Sequence, residues 1–175
     1  MPIYYIDGYN VIYQCPRLLQ LTRTDFESAR DALVERVSRY SGTTGEPATI
    51  VFDGRGQNAQ QHAPSPGAPG LEVIYSPAHL TADAVIERYV YSAANRREIV
   101  VVTGDRGIRD LCRGLGSLVM SPEHFLTIVE ETLTNSTSHM RANYEKFSTN
   151  FLEDRLGDDA REHLKRIKDS FDKKK

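Results

Sequence analysis

The chain has 175 residues, which is long enough for one domain with a five-stranded sheet, a proper core and a helical appendage. Its net charge of −2 excludes a strong general attraction to nucleic acid through the overall field of the protein. No apolar run approaches the roughly 20 residues that a membrane-spanning helix needs, and the N-terminus lacks the basic segment of a signal peptide, so we expect a cytoplasmic protein.

Short apolar runs alternate with helical patterns along most of the chain. In chain order the predicted elements are a strand at residues 3–6, helices at 10–19 and 24–40, strands at 48–52 and 71–75, a helix at 81–94, a strand at 98–103, a helix at 105–115, a strand at 118–120 and a helical stretch at 123–170. Such alternation is typical of a parallel sheet with helices on both faces. We therefore predict an α/β three-layer sandwich with a central, mostly parallel sheet and a C-terminal helical extension.

Particular residues set the predicted boundaries. Pro16 is expected to interrupt or kink the first helix, and the run Thr-Asp-Phe-Glu that begins at Thr24 resembles a capping box. Breaks in the last helical stretch are predicted near Ser136 and Gly157. The segment at residues 54–70 is rich in Gly, Pro and Gln, so it is predicted to be the longest loop and mobile.

Positive charge is unevenly distributed along the chain. Residues 1–138 contain 12 Arg, no Lys and 16 Asp or Glu, whereas residues 139–175 contain 4 Arg, 6 Lys and 8 Asp or Glu. We predict one α/β domain over the first range and a helical, Lys-rich extension over the second. The lysines indicate either a solvated helix end or a weak basic handle for RNA phosphates, and the sequence leaves both open.

Several common kinds of site have no signal in the sequence. Cys15 and Cys112 lack metal-binding spacing and are expected to be buried, reduced thiols. The five His residues are scattered without the spacing of a zinc site. The chain contains neither a P-loop nor the glycine fingerprint of dinucleotide-binding proteins, so those classes have no support.

Four aspartates stand where predicted strands end or helices begin: Asp7, Asp53, Asp83 and Asp105. In a parallel α/β sheet these positions share one edge, outside the carboxyl ends of the strands, where such folds bind their ligands. Carboxylates gathered there repel one another unless a cation lies between them. The pattern therefore predicts a Mg²⁺ or Mn²⁺ site, and hence phosphate chemistry.

Each acid also has a purely structural explanation. Asp7, Asp53 and Asp105 suit turns or helix caps, and Asp83 suits the first turn of a helix, where the dipole stabilises a carboxylate. Glu87 shares a helix face with Asp83 at a spacing of four residues, but an ion pair with a nearby Arg explains it equally well. The prediction of a site therefore depends on the conjunction of these acids.

Other side chains near the predicted edge could contact a substrate. Asn10 lies near a helix start, where its amide could hold a metal-bound water or a phosphate oxygen. Arg55, Arg106 and Arg109 could hold phosphates in bidentate fashion, or form ordinary salt bridges. Two aromatic residues could stack on bases, although core packing explains them at least as well: Tyr9 and Tyr13.

Four segments, taken in their order and spacing, match the pattern of a known family. They read Asp-Gly-Tyr-Asn-Val-Ile at residues 7–12, Val-Phe-Asp-Gly at 51–54, Thr-Ala-Asp-Ala-Val-Ile-Glu at 81–87 and Val-Val-Thr-Gly-Asp-Arg-Gly at 101–107. Together they resemble the YacP-like branch of the NYN-domain nucleases, which belong to the wider PIN-like ribonuclease fold. The resemblance covers about residues 3–125. One departure is Gly104, where many relatives have Ser before the last Asp, and the Asp itself remains.

The resemblance implies a Mg²⁺- or Mn²⁺-dependent endoribonuclease. It implies that Asp7, Asp83 and Asp105 bind the metal, and that three further residues assist in or near the site: Asn10, Asp53 and Glu87. One branch of the family cleaves mRNA in association with the ribosome. The resemblance therefore implies two partners, RNA and the translating ribosome.

The acids and the resemblance together predict hydrolysis of phosphodiester bonds in single-stranded or loosely structured RNA. In this prediction Asn10 orients water or substrate, Arg55 or Arg106 contacts flanking phosphates, and the loop at 54–70 closes over RNA. Two alternatives stay open. One is a non-catalytic RNA- or ribosome-binding module with the same fold. The other is a metal-dependent phosphatase for small molecules, which the absence of a DxDx[TV] nucleophile motif disfavours.

Overall fold

The computed structural model describes residues 1–54 and 70–151, with side chains described to residue 137. Five strands form one sheet in the order β3-β2-β1-β4-β5, and every pair of neighbours is parallel. The strands are β1 (Ile3–Asp7), β2 (Ala48–Phe52), β3 (Leu71–Tyr75), β4 (Ile99–Val102) and β5 (Leu118–Met120). The predicted α/β architecture with a central parallel sheet is therefore confirmed.

Helices connect β1 to β2, β3 to β4 and β4 to β5, as the parallel arrangement requires, whereas most of the connection from β2 to β3 lies outside the described residues. They are α1 (Gly8–Gln14), α2 (Pro16–Thr22), α3 (Phe26–Thr44), α4 (Ala82–Ser92), α5 (Arg106–Gly114) and α6 (Pro122–Phe151), with a short 3₁₀ turn at Arg96–Glu98. Pro16 interrupts the first predicted helix, as expected, because it begins α2 after Cys15 has left the helical conformation. Both cysteines are buried and form no disulfide, which agrees with the prediction.

Three predictions about α3 and α6 differ from the structure. The cap of α3 is Asp25 and not Thr24, since the Asp25 carboxylate accepts the backbone N–H groups of the first turn. This helix continues beyond Tyr40 to Thr44 and ends at Gly45, whose φ of 75° is left-handed. The helix α6 runs through Ser136 without a break, because the weak helix propensity of Ser is only a mild penalty. The predicted break at Gly157 and residues 55–69 of the predicted loop lie outside the described residues.

Hydrophobic side chains fill both faces of the sheet, which gives the three layers. On one face α1, α2, α3 and the beginning of α6 pack over side chains of the sheet such as Ile6 and Ile50. On the other face α4 and α5 pack over Val51 and Val101. Alternate residues of each strand point to opposite faces, so the buried strands read as continuous apolar runs.

The strand order fixes where a ligand can bind. The central strand β1 pairs with β2 on one side and β4 on the other, with Asp7 opposite Val51 and Ile6 opposite Val102. The chain thus turns to opposite sides of β1, and folds of this kind bind ligands in the crevice beyond the carboxyl ends at that point. The ends of β1, β2 and β4 form this edge.

The chain separates into two compact units, Met1–Leu133 and a second unit that begins at Thr134. The boundary predicted at residue 138 lies within α6. Among the described residues, no helix is both long and apolar enough to cross a membrane.

Candidate active site

Asp7 lies at the end of β1 and caps α1. Its carboxylate accepts the backbone N–H of Asn10 at 3.0 Å, and the residue is only 8% exposed. Gly8 makes this sharp passage from strand to helix possible, because a Cβ there would lie 2.2 Å from Cε1 of the buried Phe52 ring. The sequence therefore places a buried carboxylate at the carboxyl edge of the central strand.

The pKa of Asp7 is raised to about 6. Burial is the main cause, and the negative charges of Asp83, Asp53 and Asp105 raise it further. The hydrogen bond from the Asn10 N–H acts in the opposite direction but does not offset these effects. The fold therefore brings the four predicted aspartates close enough to influence one another.

Asp53 and Asp83 lie side by side where β2 meets α4. An oxygen of Asp53 accepts the backbone N–H of Ala82 at 2.6 Å, which ties the end of β2 to the first residue of α4. Thr81 caps the same helix by accepting the N–H of Ala84 at 3.2 Å. The pKa of Asp83 is raised by burial and then by the charges of Asp105 and Asp53. A capping role and a place in the acidic cluster thus coexist here.

Asp105 completes the cluster from the end of β4. It caps α5 by accepting the N–H of Ile108 at 3.1 Å, and its own N–H donates to the hydroxyl of the buried Thr103 at 3.1 Å. Unlike Asp7, it is exposed. The cluster therefore has a buried side at Asp7 and an open side at Asp105, from which a substrate can approach.

Asn10 joins two parts of the site in a way that the sequence analysis missed. Its side-chain oxygen accepts the backbone N–H of Gly104 at 2.7 Å and the amide of Gln14 at 2.8 Å. Gly104 and Gln14 fit closely, since a Cβ on Gly104 would lie 1.7 Å from the Gln14 amide nitrogen. The spacing of four residues between Asn10 and Gln14 on α1 predicts the bond between their side chains. No local pattern predicts the bond from the Gly104 N–H, because this residue is distant in sequence.

The remaining predicted residues are less closely involved. Glu87 is exposed on α4, and its charge acts on the buried Cys112 thiol, whose pKa is raised by burial and then by Glu87. Arg106 is exposed and Arg109 is half-buried, both in the first turns of α5. Arg55 lies outside the described residues.

The acidic cluster has no protein cation to balance it within the described part of the chain. The two ion pairs found there join the N-terminus to Glu98 and Arg17 to Glu130, away from these acids. In the same part of the chain no three Asp, Glu, His or Cys side chains form a ready-made metal-ligand set. Mg²⁺ commonly binds through one or two carboxylates and takes its other ligands from water and substrate phosphate. Oxygen donors that repel one another therefore fit Mg²⁺ or Mn²⁺.

The parallel sheet with acids at its carboxyl edge is an α/β fold of the PIN-like, nuclease type. A family model described as the YacP-like NYN domain matches residues 4–169, and the chain belongs to this family. The YacP protein of Bacillus subtilis (strain 168) is 32% identical over 136 residues, which are 74% of this chain and 76% of that protein.

Two solved structures share the architecture. A crystal structure of Rae1 (YacP) from Bacillus subtilis has a TM-score of 0.68 at 25% identity, covering 99% of this chain and 94% of that chain. A single-substitution variant of the same protein has a TM-score of 0.67 at 28% identity, covering 87% of both chains. The resemblance inferred from the four segments is thereby confirmed, and so is the five-stranded sheet flanked by helices.

Proposed function

We propose that this protein is a Mg²⁺- or Mn²⁺-dependent endoribonuclease that cleaves phosphodiester bonds in single-stranded or loosely structured RNA. The observation that carries the proposal is the acidic cluster of Asp7, Asp53, Asp83 and Asp105, in which burial and then the neighbouring charges raise the pKa of Asp7 and Asp83. Such unbalanced negative charge is costly, and a divalent cation bound with substrate phosphate removes the cost. Membership of a nuclease-like family supports the same chemistry.

In this proposal Asp7, Asp83 and Asp105 hold the metal, which when bound supplies an activated water and stabilises charge on the phosphate. Asp53 positions Asp83, because its hydrogen bond to the Ala82 N–H fixes the beginning of α4. Asn10 fixes α1 against the turn after β4 through Gly104. Because the side-chain oxygen of Asn10 accepts this hydrogen bond, the NH₂ group of Asn10 is the part that can donate to water or substrate.

Substrate phosphates would be bound on the open side of the cluster. Arg106 and Arg109 lie on α5, whose N-terminus carries Asp105. Guanidinium groups there can hold the phosphates that flank the scissile bond. Arg55 stays a prediction for the same task. Because one branch of the family cleaves mRNA in association with the ribosome, we extend the proposal to mRNA on ribosomes in the cytoplasm. Comparing cleavage of one mRNA with and without ribosomes tests this extension.

The direct test is cleavage of a long, unstructured, internally labelled RNA in Mg²⁺, in Mn²⁺ and in EDTA. We expect internal cuts with either metal and none in EDTA. Mn²⁺ binding followed by electron paramagnetic resonance gives a readout that does not depend on turnover, and Asp83→Asn should weaken it. RNA binding without cleavage in either metal would favour the non-catalytic module, and turnover of a chromogenic phosphate ester but not RNA would favour the phosphatase.

A further inference from the structure

A group of aromatic rings lies beside the acidic cluster and reaches the surface. Tyr9, Tyr13 and Phe26 form a triangle, with ring centroids 6.3 Å apart for the two tyrosines, 6.4 Å for Tyr9 and Phe26, and 6.5 Å for Tyr13 and Phe26. Tyr13 is 45% exposed and Phe26 is 41% exposed. Tyr13 and Phe26 are thus exposed at the surface, and the Tyr9 ring contacts both of them.

The triangle begins at the same ends of β1 and β2 as the proposed catalytic residues. Tyr9 stands two residues after Asp7, and its ring contacts the buried Phe52 ring at a centroid distance of 5.2 Å. Phe52 directly precedes Asp53 and packs against Gly8. The rings and the acids therefore start from neighbouring positions at the carboxyl ends of β1 and β2, and one bound strand would span both.

A cation lies at the margin of the same surface. The guanidinium of Arg30 is 5.8 Å from the centroid of the Tyr75 ring, and its Nη1 donates to the Tyr9 hydroxyl at 3.5 Å. Glu27 faces Arg30 and offsets part of its charge. Aromatic rings accompanied by Arg are how proteins bind single-stranded nucleic acid without reading its sequence, because every base has a π-face.

We propose that Tyr13 and Phe26 form a stacking platform for a base of single-stranded RNA next to the cleaved phosphate, with Arg30 attracting the strand. This inference rests on the proposed function, since it assigns a substrate contact to the same site. The exposed Leu19 and Leu21 lie in the same stretch of chain, and a protein partner would use their apolar area. The shared position at the carboxyl ends of β1 and β2 and the presence of Arg30 favour RNA.

The chain offers a matched control for an exposed ring beside an Arg. Tyr91 is 68% exposed near the C-terminal end of α4, and the Arg96 guanidinium lies 5.3 Å from its ring centroid. Tyr91 lies at the end of α4 opposite Asp83, and Arg96 lies in the 3₁₀ turn that follows. Tyr91→Leu therefore removes an exposed aromatic ring of the same type without touching the proposed platform.

The experiment measures binding of a short fluorescein-labelled oligoadenylate in EDTA, so that no cleavage occurs. Because stacking on one ring contributes on the order of a tenfold change in affinity, we expect Tyr13→Leu and Phe26→Leu each to weaken binding by about tenfold, and Tyr91→Leu to leave it unchanged. Leucine keeps the surface apolar and removes the π-face, and the control Tyr91→Leu loses the same hydroxyl as Tyr13→Leu. An abasic strand of the same length should bind all four proteins equally.

A second variant gives a direct signal of stacking. The chain contains no Trp, so Phe26→Trp introduces the only tryptophan of the protein. A stacked base should quench the fluorescence of this tryptophan, whereas the abasic strand should not. Unchanged binding in both leucine variants together with no quenching would overturn the platform, and equal losses with the abasic strand would do so too. Because binding is measured without metal, these results stand whether or not the protein proves to cleave RNA.

Discussion

Two aspartates of this protein have the same local role and opposite electrostatic surroundings. Asp7 caps α1 and Asp25 caps α3, each by accepting backbone N–H groups of the first helical turn. At the exposed Asp25 the N–H groups of Glu27 and Ser28 lower the pKa. At Asp7 burial and three other carboxylates raise the pKa to about 6 in spite of the same kind of bond. A capping motif therefore sets the hydrogen bond, and the tertiary fold decides whether the pKa of the carboxylate is lowered or raised.

The largest expected effect is a difference in RNA cleavage between substitutions at Asp7 and at Asp25. Asp7→Asn keeps a side chain that caps helices about as well as Asp but removes the charge, so we expect metal-dependent RNA cleavage to fall on the order of a thousandfold. Asp25→Asn makes the same chemical change at the start of α3, and cleavage should stay at the wild-type rate. Cleavage rates of the purified variants in Mn²⁺ provide the check. Retained activity in Asp7→Asn would remove this residue from the mechanism.

The same pair should differ in the pH dependence of stability. The pKa of Asp7 is raised from 3.8 to about 6 on folding, so the folded state binds more protons than the unfolded state between these values. Stability is therefore lost as pH rises through this window, by about 3 kcal/mol in total. Asp7→Asn cannot lose a proton, so this variant should be more stable than wild type by up to that amount above pH 7 and similar to it near pH 3.

Urea unfolding in EDTA across this pH range measures the difference. Asp25 has a lowered pKa, so its contribution has the opposite sign: it is present at neutral pH and lost as pH falls. Adding Mg²⁺ should narrow the gap between wild type and Asp7→Asn, because the wild type, with all three carboxylates, gains more from binding the ion. If the difference in unfolding free energy between wild type and Asp7→Asn did not change with pH, burial of the Asp7 charge would carry no cost.

The residue after each aspartate sharpens the comparison. Asp25 is followed by the exposed Phe26, whereas Asp7 is followed by Gly8, where a Cβ would lie 2.2 Å from Cε1 of the buried Phe52. Gly8→Ala must displace that ring and should destabilise the protein by about 1–3 kcal/mol. Gly114→Ala is the control, because a Cβ there meets nothing within 4 Å and Ala favours helix. Equal unfolding midpoints for the two variants would show that α1 can shift without cost.

The sequence predicted the acidic cluster because each acid adjoins an apolar run, and parallel strands bring such ends together. It misplaced the α3 cap by one residue because Thr24 and Asp25 are both good caps, and local pattern does not distinguish them. The bond between Asn10 and the Gly104 N–H could not be predicted, since it joins residues 94 positions apart. Burial of Asp7 likewise depends on the packing of Phe52, which a linear pattern does not contain.

The smallest expected effect concerns the glycine before the exposed cap. A Cβ on Gly104 would lie 1.7 Å from the Gln14 amide nitrogen, but this amide is the far end of an exposed, flexible side chain. Gly104→Ala should therefore turn Gln14 outward and lose only its bond to Asn10, at a cost below about 1 kcal/mol. The bond from the Gly104 N–H to Asn10 is made by the backbone and should remain, so metal-dependent cleavage should stay within a few-fold of wild type. If Gly104→Ala lost as much cleavage as Asp7→Asn, the bond from Gln14 to Asn10 would be essential to the site. The exposed side of the cluster, at Gly104, would then tolerate a Cβ no better than the buried side, at Gly8.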